Sequence, residues 1–387
     1  MKFLYVVMHQ TQALTPLFRK ISQNKKISFK VIYWQNMSKT YFDTEFNRII
    51  NWGMDLTSGF KHIFLFDKET DNPKNNFTFK LKILFRLIKL IIFGDYQAIC
   101  FHGYYFPHVF AAIVAKLKKK KTIMRDISYN LGKKSLLKKI LRKFYYRFAN
   151  MFIDEFWAIG ELNSLFFKIY GADKKKIKLI PHVVDEERLL KKNNAFLLNK
   201  EETCLKYNIP QNKKIILFTG KFIKKKQPLM LIEAFTNLKI NNEWLLILVG
   251  DGHLKNEIEL FFNSKNVKNV KLINFLNQYE IINFYNIADI FVMPSDRGET
   301  WGLAAIEAIH SGCSLIVSDM VGCHPEILKE EIGIVFDHKN KNELSNALKL
   351  LVSNSEMRQQ FTQNALKYSN NIKIQIVAEK IIETLQK

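Results

Sequence analysis

Short apolar runs recur along the chain, separated by polar turns and by longer stretches in which apolar residues return every three or four positions. In the first half such runs fall at 3–7, 29–34, 63–66, 98–101, 122–125, 155–158 and 177–180. They are too short for helices and nearly continuous in their apolar character, as strands buried on both faces are. Residues 79–92, 107–117, 135–149 and 162–170 carry helical periodicity between them. Strands alternating with helices predict a parallel, doubly wound sheet. The second half repeats the alternation, with strands at 215–219, 245–249, 270–273, 290–293, 315–317 and 334–336. Helices are expected to start near Pro228, His253, Gln278, Trp301, His324 and Asn342, and the chain ends in helical segments at 356–368 and 374–385. A charged, Asn-rich connector over 183–210 separates the halves. The expected organisation is a first domain over 1–182 and a second over 211–368, both Rossmann-like and facing each other across a cleft.

The stretch with the most specific chemistry follows the apolar run 290–293. A polar loop leads into Trp301–Gly302–Leu303, and Leu303, Ile306 and Ile309 then return at three-residue spacing. This predicts a helix from Trp301 to Ile309, slim because Ala304, Ala305 and Ala308 line it, and ended by Gly312 as a left-handed cap. Its first N–H groups lack intrahelical partners and form an anion site, where Gly302 lets a phosphate approach the amides of Gly302 and Leu303. Glu299 precedes the helix and Glu307 lies about 12 Å further along the axis at ~1.5 Å per residue. A carboxylate beside a phosphate is repelled, so hydroxyls are the natural partners of both. A diphosphate between a ribose and a second sugar uses all three features. The alternative reading makes Glu307 a solvated helix-face residue and Glu299 a charge that complements the helix dipole.

The run Glu299-Thr300-Trp301-Gly302-Leu303-Ala304-Ala305-Ile306-Glu307-Ala308 resembles the signature of the family 4 retaining glycosyltransferases of GT-B fold. Pro294-Ser295 before it, and Ser311-Gly312-Cys313 through Ser318-Asp319 after it, fit the same pattern. The resemblance implies that Glu299 holds donor-sugar hydroxyls, that Glu307 holds the ribose, and that the Gly302 and Leu303 amides hold the diphosphate. It also implies that the last helix, 369–387, returns to the first domain. The loop Gly220-Lys221-Phe222-Ile223-Lys224-Lys225-Lys226 coincides with one where the family carries a basic pair, here Lys221 and Lys226. Read alone it is a solvated basic loop. Two fixed cations and a helix N-terminus can neutralise a departing diphosphate without a metal, so neither metal nor cofactor is expected. Val249-Gly250-Asp251-Gly252 resembles the second glycine loop of the family, and Asn274-Phe275 falls where it seats the nucleobase. Thr300 and Trp301 complete the expected donor site.

The first domain matches by architecture only. The family's glycine-rich loop is replaced by His9-Gln10-Thr11-Gln12-Ala13, and Arg125-Asp126 stands where a family histidine would align. Asp126 or His102 is expected to face an acceptor hydroxyl, His102 having a loop histidine as its plain alternative.

Charge and composition add two expectations. The formal net charge is +23, and from Lys116 to Arg147 thirteen Lys or Arg stand against one acid, Asp126. Such a concentration implies an anionic partner. Residues 133–148 are amphipathic, with Leu136, Leu137, Ile140, Leu141, Phe144, Tyr145 and Phe148 on one side and bases on the other. One reading is a helix packed on the core by its apolar side. The other is a contact with an anionic membrane surface. The longest apolar stretch, 81–93, contains Lys82, Arg86 and Lys89 and is too short to span a bilayer, and Cys100, Cys204, Cys313 and Cys323 have no metal-ligand spacing. A cytoplasmic protein, peripheral at the inner face of the cytoplasmic membrane, is expected. The composite expectation is a glycosyltransferase that moves a sugar from a UDP- or GDP-sugar to a glycan or lipid-linked acceptor in bacterial surface polysaccharide or glycoconjugate synthesis. The rivals are a nucleotide-sugar epimerase of the same fold and a basic nucleic-acid-binding protein. No nucleic-acid module is recognisable, so nucleic acid is not an expected partner.

Overall fold

A computed structural model of the chain describes all residues except 37–39, 44, 46, 47, 52, 68–75, 130–135, 190–194, 239–242, 266 and 387. The chain forms two compact units. The first comprises Met1–Ser38, Asp55–Val183 and Ile374–Lys387, and the second Lys39–Met54 and Val184–Lys373.

In the first unit β1 (Lys2–Val7), β2 (Ser28–Gln35), β5 (Lys61–Phe66), β6 (Ala98–His102), β7 (Lys121–Asp126), β8 (Glu155–Ala158) and β9 (Ile177–Leu179) form one sheet in the order β5-β2-β1-β6-β7-β8-β9. Every pairing is parallel. Alternation along β1 sorts the core into two layers. Leu4 and Val6 join one cluster with α2 (Phe77–Phe93), α3 (Phe106–Leu117) and α5 (Glu161–Ile169). Phe3, Tyr5 and Val7 join the other with α1 (Thr15–Ser22) and the C-terminal helix Ile374–Gln386. Such two-sided burial is what a parallel sheet requires.

α4 (Leu136–Asn150) departs from the reading that packs its apolar side on the core. Leu137, Leu141, Phe144 and Phe148 are exposed, whereas Ala149 and Asn150 are buried and Arg142, Tyr145 and Tyr146 half-buried. Residues 133–135 of the predicted amphipathic stretch lie outside the described residues.

The second unit contains the antiparallel hairpin β3 (Thr40–Asp43) and β4 (Arg48–Asn51) and a six-stranded parallel sheet. The sheet is ordered β12-β11-β10-β13-β14-β15, where β10 is Lys214–Thr219, β11 Trp244–Val249, β12 Val270–Ile273, β13 Ile290–Met293, β14 Ser314–Ser318 and β15 Gly333–Phe336. Its helices are α6 (Lys200–Lys206), α7 (Pro228–Thr236), α8 (Lys255–Lys265), α9 (Ile282–Ile287), α10 (Leu303–His310), α11 (His324–Lys329), α12 (Lys341–Ser353) and α13 (Ser355–Ser369). The terminal Ile374–Gln386 is α14. Within the connector, α6 is set by a capping box in which Asn199 and Glu202 each accept the other's backbone N–H. The hairpin lay hidden to alternation: residues 39–54, read as part of the first domain, group with the second unit. Ionic contacts made by Asp43 and Glu45, described below, hold it there.

Candidate functional site

Both glycine loops predicted for the second unit leave the carboxyl ends of neighbouring strands, and the backbone presses them together. Phe222 N–H donates to the Asp251 carbonyl at 2.7 Å and Leu254 N–H to the Phe222 carbonyl at 3.0 Å. A Cβ on Gly250 would overlap the carbonyl oxygen of Gly220, so this approach needs glycine. The approach fixes where the basic segment after Gly220 begins.

That segment is not a solvated loop. Lys221 Nζ donates to Asp43 Oδ2 at 2.9 Å and Glu45 Oε2 at 2.8 Å, and Lys225 Nζ lies 3.5 Å from Glu45. Lys226 Nζ donates to Glu299 Oε2. The next loop is tied on by Asp296, whose N–H donates to the Lys225 carbonyl at 2.9 Å while its Oδ2 accepts from Gln227 Nε2 at 3.0 Å. Burial pulls the Lys221 ammonium down, but the carboxylates of Glu45 and Asp43 outweigh it and hold the pKa above the ordinary value. The Glu45 carboxyl is correspondingly lowered, chiefly by its bond from Lys221.

Helix α10 begins at Leu303, two residues later than its pattern suggested, because Gly302 is a left-handed N-cap with φ 99°. The preceding residues belong instead to a stitched loop: Gly322 N–H donates to the Glu299 carbonyl and Cys323 N–H to the Trp301 carbonyl, both at 2.9 Å. A Cβ on Gly302 would meet Val321 and come close to Cys323 and Met293. Glu299 and Thr300 are half-buried, Trp301 and Gly302 buried. The stitching therefore fixes Glu299 beside Lys226 and leaves the Gly302–Leu303 amides at the head of the helix.

Glu307 is 8% exposed, which rules out the solvated-face alternative. Its partner was missed: Arg188, from a single 3₁₀ turn at Glu186–Leu189 in the connector, donates through Nη2 to Glu307 Oε1 and through Nη1 to Gln278. Nε of Arg188 has no hydrogen-bond partner among the described residues. Tyr285, whose hydroxyl is 2.7 Å from Thr219 Oγ1, is pushed well up by burial and by the Glu307 charge. Nothing in the connector's polar composition marks Arg188. The apolar residues on either side of it, Val183-Val184 and Leu189, are the faint signal that this part of the connector packs.

Of the two residues expected to seat a nucleobase, Asn274 is exposed and its Oδ1 accepts from Lys255 Nζ at 2.7 Å, while Phe275 is half-buried. Beyond β14, Asp319, Asp337 and His338 bring three ligand atoms within 4.8 Å of one another, and Asp319 Oδ1 already takes the His338 ring nitrogen at 2.7 Å.

In the first unit the two residues expected to face an acceptor end neighbouring strands. His102 Nδ1 is 2.7 Å from the Tyr5 hydroxyl, and burial followed by the Arg125 charge pushes its pKa well down, so the imidazole is neutral. Asp126 is buried, accepts the Ser128 N–H at 3.2 Å, and is pushed up by burial. Arg125, expected to stand where a family histidine would align, is 1% exposed and donates to the Pro181 carbonyl at 3.2 Å, pinning the chain where it leaves this unit.

Known proteins can be set beside this geometry. Residues 199–368 match the model of the family described as Glycosyl transferases group 1. The chain is 30% identical over 196 residues to UDP-Gal:alpha-D-GlcNAc-diphosphoundecaprenol alpha-1,3-galactosyltransferase of Escherichia coli, covering 49% of this chain and 48% of that protein. The chain spans about half the length of the curated relatives it matches. Among solved structures, sucrose-phosphate synthase from Thermosynechococcus elongatus aligns with 100% of this chain and 98% of its own at TM-score 0.72 and 15% identity. HepE of Anabaena in complex with UDP-glucose aligns with 100% and 99% at TM-score 0.67 and 14% identity. The fold is GT-B, two Rossmann-like domains in one chain, and the loops from Gly220 to Gly322 lie within the segment that matches the glycosyl transferases group 1 model.

Proposed function

We propose that the protein is a retaining glycosyltransferase of family 4 that transfers a sugar from a nucleotide-sugar to a glycan or lipid-linked acceptor. The observation that carries this reading is the joining of Lys226, Glu299 and the Gly302 cap in one stitched loop cluster, inside the segment that matches the family model. The donor diphosphate lies against the Gly302 and Leu303 amides with Lys221 and Lys226, which exchange carboxylate partners for phosphate oxygens. Glu299 takes donor-sugar hydroxyls and Glu307, held by Arg188, the ribose. Asn274 and Phe275 flank the base, and Gly220 and Gly250 shape the floor. Because cations and a helix terminus neutralise the departing diphosphate, transfer needs no metal.

Asp126 and His102 face the acceptor hydroxyl. The E. coli relative is named for a diphosphoundecaprenol-linked acceptor and the Anabaena neighbour holds UDP-glucose, which favours a UDP-sugar and a lipid-linked acceptor at the inner face of the cytoplasmic membrane. The test is incubation with radiolabelled UDP- or GDP-sugars and undecaprenyl-diphosphate saccharides. Labelled product whose new linkage keeps the donor's anomeric configuration is expected. Conversion of donor to an epimer with no acceptor present would replace this reading with the epimerase one.

A further inference from the structure

Helix α4 is mounted with its greasy side outward. Its inner side is polar and well partnered: the Arg142 guanidinium lies over the rings of Tyr146, Phe166 and Tyr170 at 5.2–5.3 Å. Asn150 Oδ1 accepts the Tyr104 hydroxyl at 2.6 Å, and Asn150 Nδ2 donates to the Tyr170 carbonyl at 3.0 Å. At 100° per residue, Arg142, Tyr146, Ala149 and Asn150 fall on one side of the helix and Leu137, Ile140, Leu141, Phe144 and Phe148 on the opposite one. The outward residues are among the most exposed apolar side chains of the protein, Leu137 at 67%, Leu141 at 60% and Phe144 at 69%. Scattered exposed leucines need no explanation, but a continuous stripe along about three helical turns does.

The surroundings of the stripe select its partner. Residues 136–150 include Lys138, Lys139, Arg142, Lys143 and Arg147 and no acid. Lys138, Lys139, Lys143 and Arg147 are exposed. On the same side of the first unit's sheet, α2 and α3 expose a run of aromatic rings in which Phe77 contacts Phe106 at 6.0 Å between centroids and Phe106 contacts Phe110 at 4.7 Å. A second copy of the chain would set the same bases against each other across a twofold axis, with no carboxylate on the helix to answer them. A surface that combines an apolar interior with negative charge at its rim meets both features of α4.

We propose that α4 lies in the interface of an anionic lipid bilayer, with Leu137, Leu141, Phe144 and Phe148 entering the acyl boundary and Lys138, Lys143 and Arg147, which flank the stripe, at the headgroups. The polar inner side, fastened by Arg142 and Asn150, lets the helix stay docked on its own unit while its apolar side is immersed. This places the first unit, and with it the loops that carry His102 and Asp126, at a membrane. It deepens the proposed function by supplying the surface at which a lipid-linked acceptor would be met. The binding needs neither donor nor acceptor, so its failure and the failure of sugar transfer are separate readouts.

Flotation of the full chain with phosphatidylcholine vesicles, and with vesicles in which about a third of the lipid is phosphatidylglycerol, tests the proposal. Wild type floats with the anionic vesicles and remains below with the neutral ones. Leu141→Ser/Phe144→Ser/Phe148→Ser loses at least tenfold in partition. Lys138→Gln/Lys143→Gln/Arg147→Gln loses on the order of a hundredfold, at about fivefold per base. The substituted side chains are exposed, Phe148 touching Phe152 by its ring and Arg147 lying beside Gly171 by its stem, so thermal midpoints of both variants stay close to wild type. Failure of wild type to float with anionic vesicles overturns the proposal, and so does equal flotation of the apolar variant. A concentration-dependent dimer that the apolar variant abolishes, without vesicle binding, would assign the stripe to a second copy and overturn it as well.

Discussion

The carboxyl ends of the two sheets carry opposite kinds of chemistry. In the second unit the loops there are ionic: Lys221 with Asp43 and Glu45, Lys226 with Glu299, Arg188 with Glu307. In the first unit β7 ends in the buried Arg125 and Asp126, and the neighbouring strand end and the turn after it hold neutral, interlocked imidazoles. His102 bonds to Tyr5, and buried His108 accepts the Trp34 indole N–H at Nε2 at 2.8 Å while its Nδ1 faces the Gly103 carbonyl at 3.0 Å. Burial pushes His108 down to about 4 and His182 down to about 3. Cations held against carboxylates can exchange them for the oxygens of a diphosphate. Neutral, interlocked imidazoles cannot hold an anion and instead shape a site by hydrogen bonds. Under the proposed function this difference suits the second unit to a charged donor and the first to an uncharged hydroxyl.

The comparison breaks most readily at the Arg188–Glu307 pair. Truncating one partner strands a buried charge, and Arg188→Ala is predicted to destabilise the second unit by about 3–5 kcal/mol in urea unfolding. Arg188→Met with Glu307→Leu should recover most of that loss while nucleotide binding stays abolished. Recovery of stability together with undiminished binding would show that Glu307 is structural only.

Acid should separate the units next. A histidine whose folded pKa lies below its unfolded value near 6.5 binds protons preferentially in the unfolded state, so stability is full above about pH 6.5 and falls as pH drops toward the folded pKa. His102, His108 and His182 all shift downward, each contributing a slope of up to about 1.4 kcal/mol per pH unit across the window from about 6.5 to about 4. His310, lowered to about 4 chiefly by burial, is the second unit's counterpart. Hydrogen exchange at pH 7 and pH 5 should therefore show the larger loss of protection in β1, β6 and β7. Equal loss in both sheets would count against the contrast.

The smallest effect concerns the hairpin. Asp43→Asn with Glu45→Gln removes the carboxylates that occupy Lys221, and affinity for UDP is expected to rise severalfold by calorimetry. A weaker affinity would mean that the hairpin helps to build the site.

Much of this architecture was legible in the chain. Thirteen parallel strands appear as apolar runs because both sheet faces are covered, and the Glu299–Glu307 stretch announces itself by local spacing. What escaped depends on distant partners. Arg188 is one base in a polar connector, and its carboxylate lies 119 residues away. The hairpin at 40–51 crosses to the second unit through Asp43 and Glu45, which no periodicity reveals. For α4, the period shows that an apolar side exists but not which way it faces. Only Tyr104, Phe166 and Tyr170, waiting to receive Arg142 and Asn150, decide that.

Under the proposed function the second unit binds a nucleotide-sugar through Lys226, Glu299, Gly302 and Glu307. The most direct test is a thermal-shift panel of UDP-, GDP- and ADP-sugars on wild type and on Glu307→Gln, which retains a hydrogen-bond acceptor for Arg188. One nucleotide class, at ~100 times its dissociation constant, is expected to stabilise wild type by roughly 2.7 kcal/mol, and the variant to lose the shift. An equal shift in the variant, or none with any nucleotide, would contradict this mode of binding.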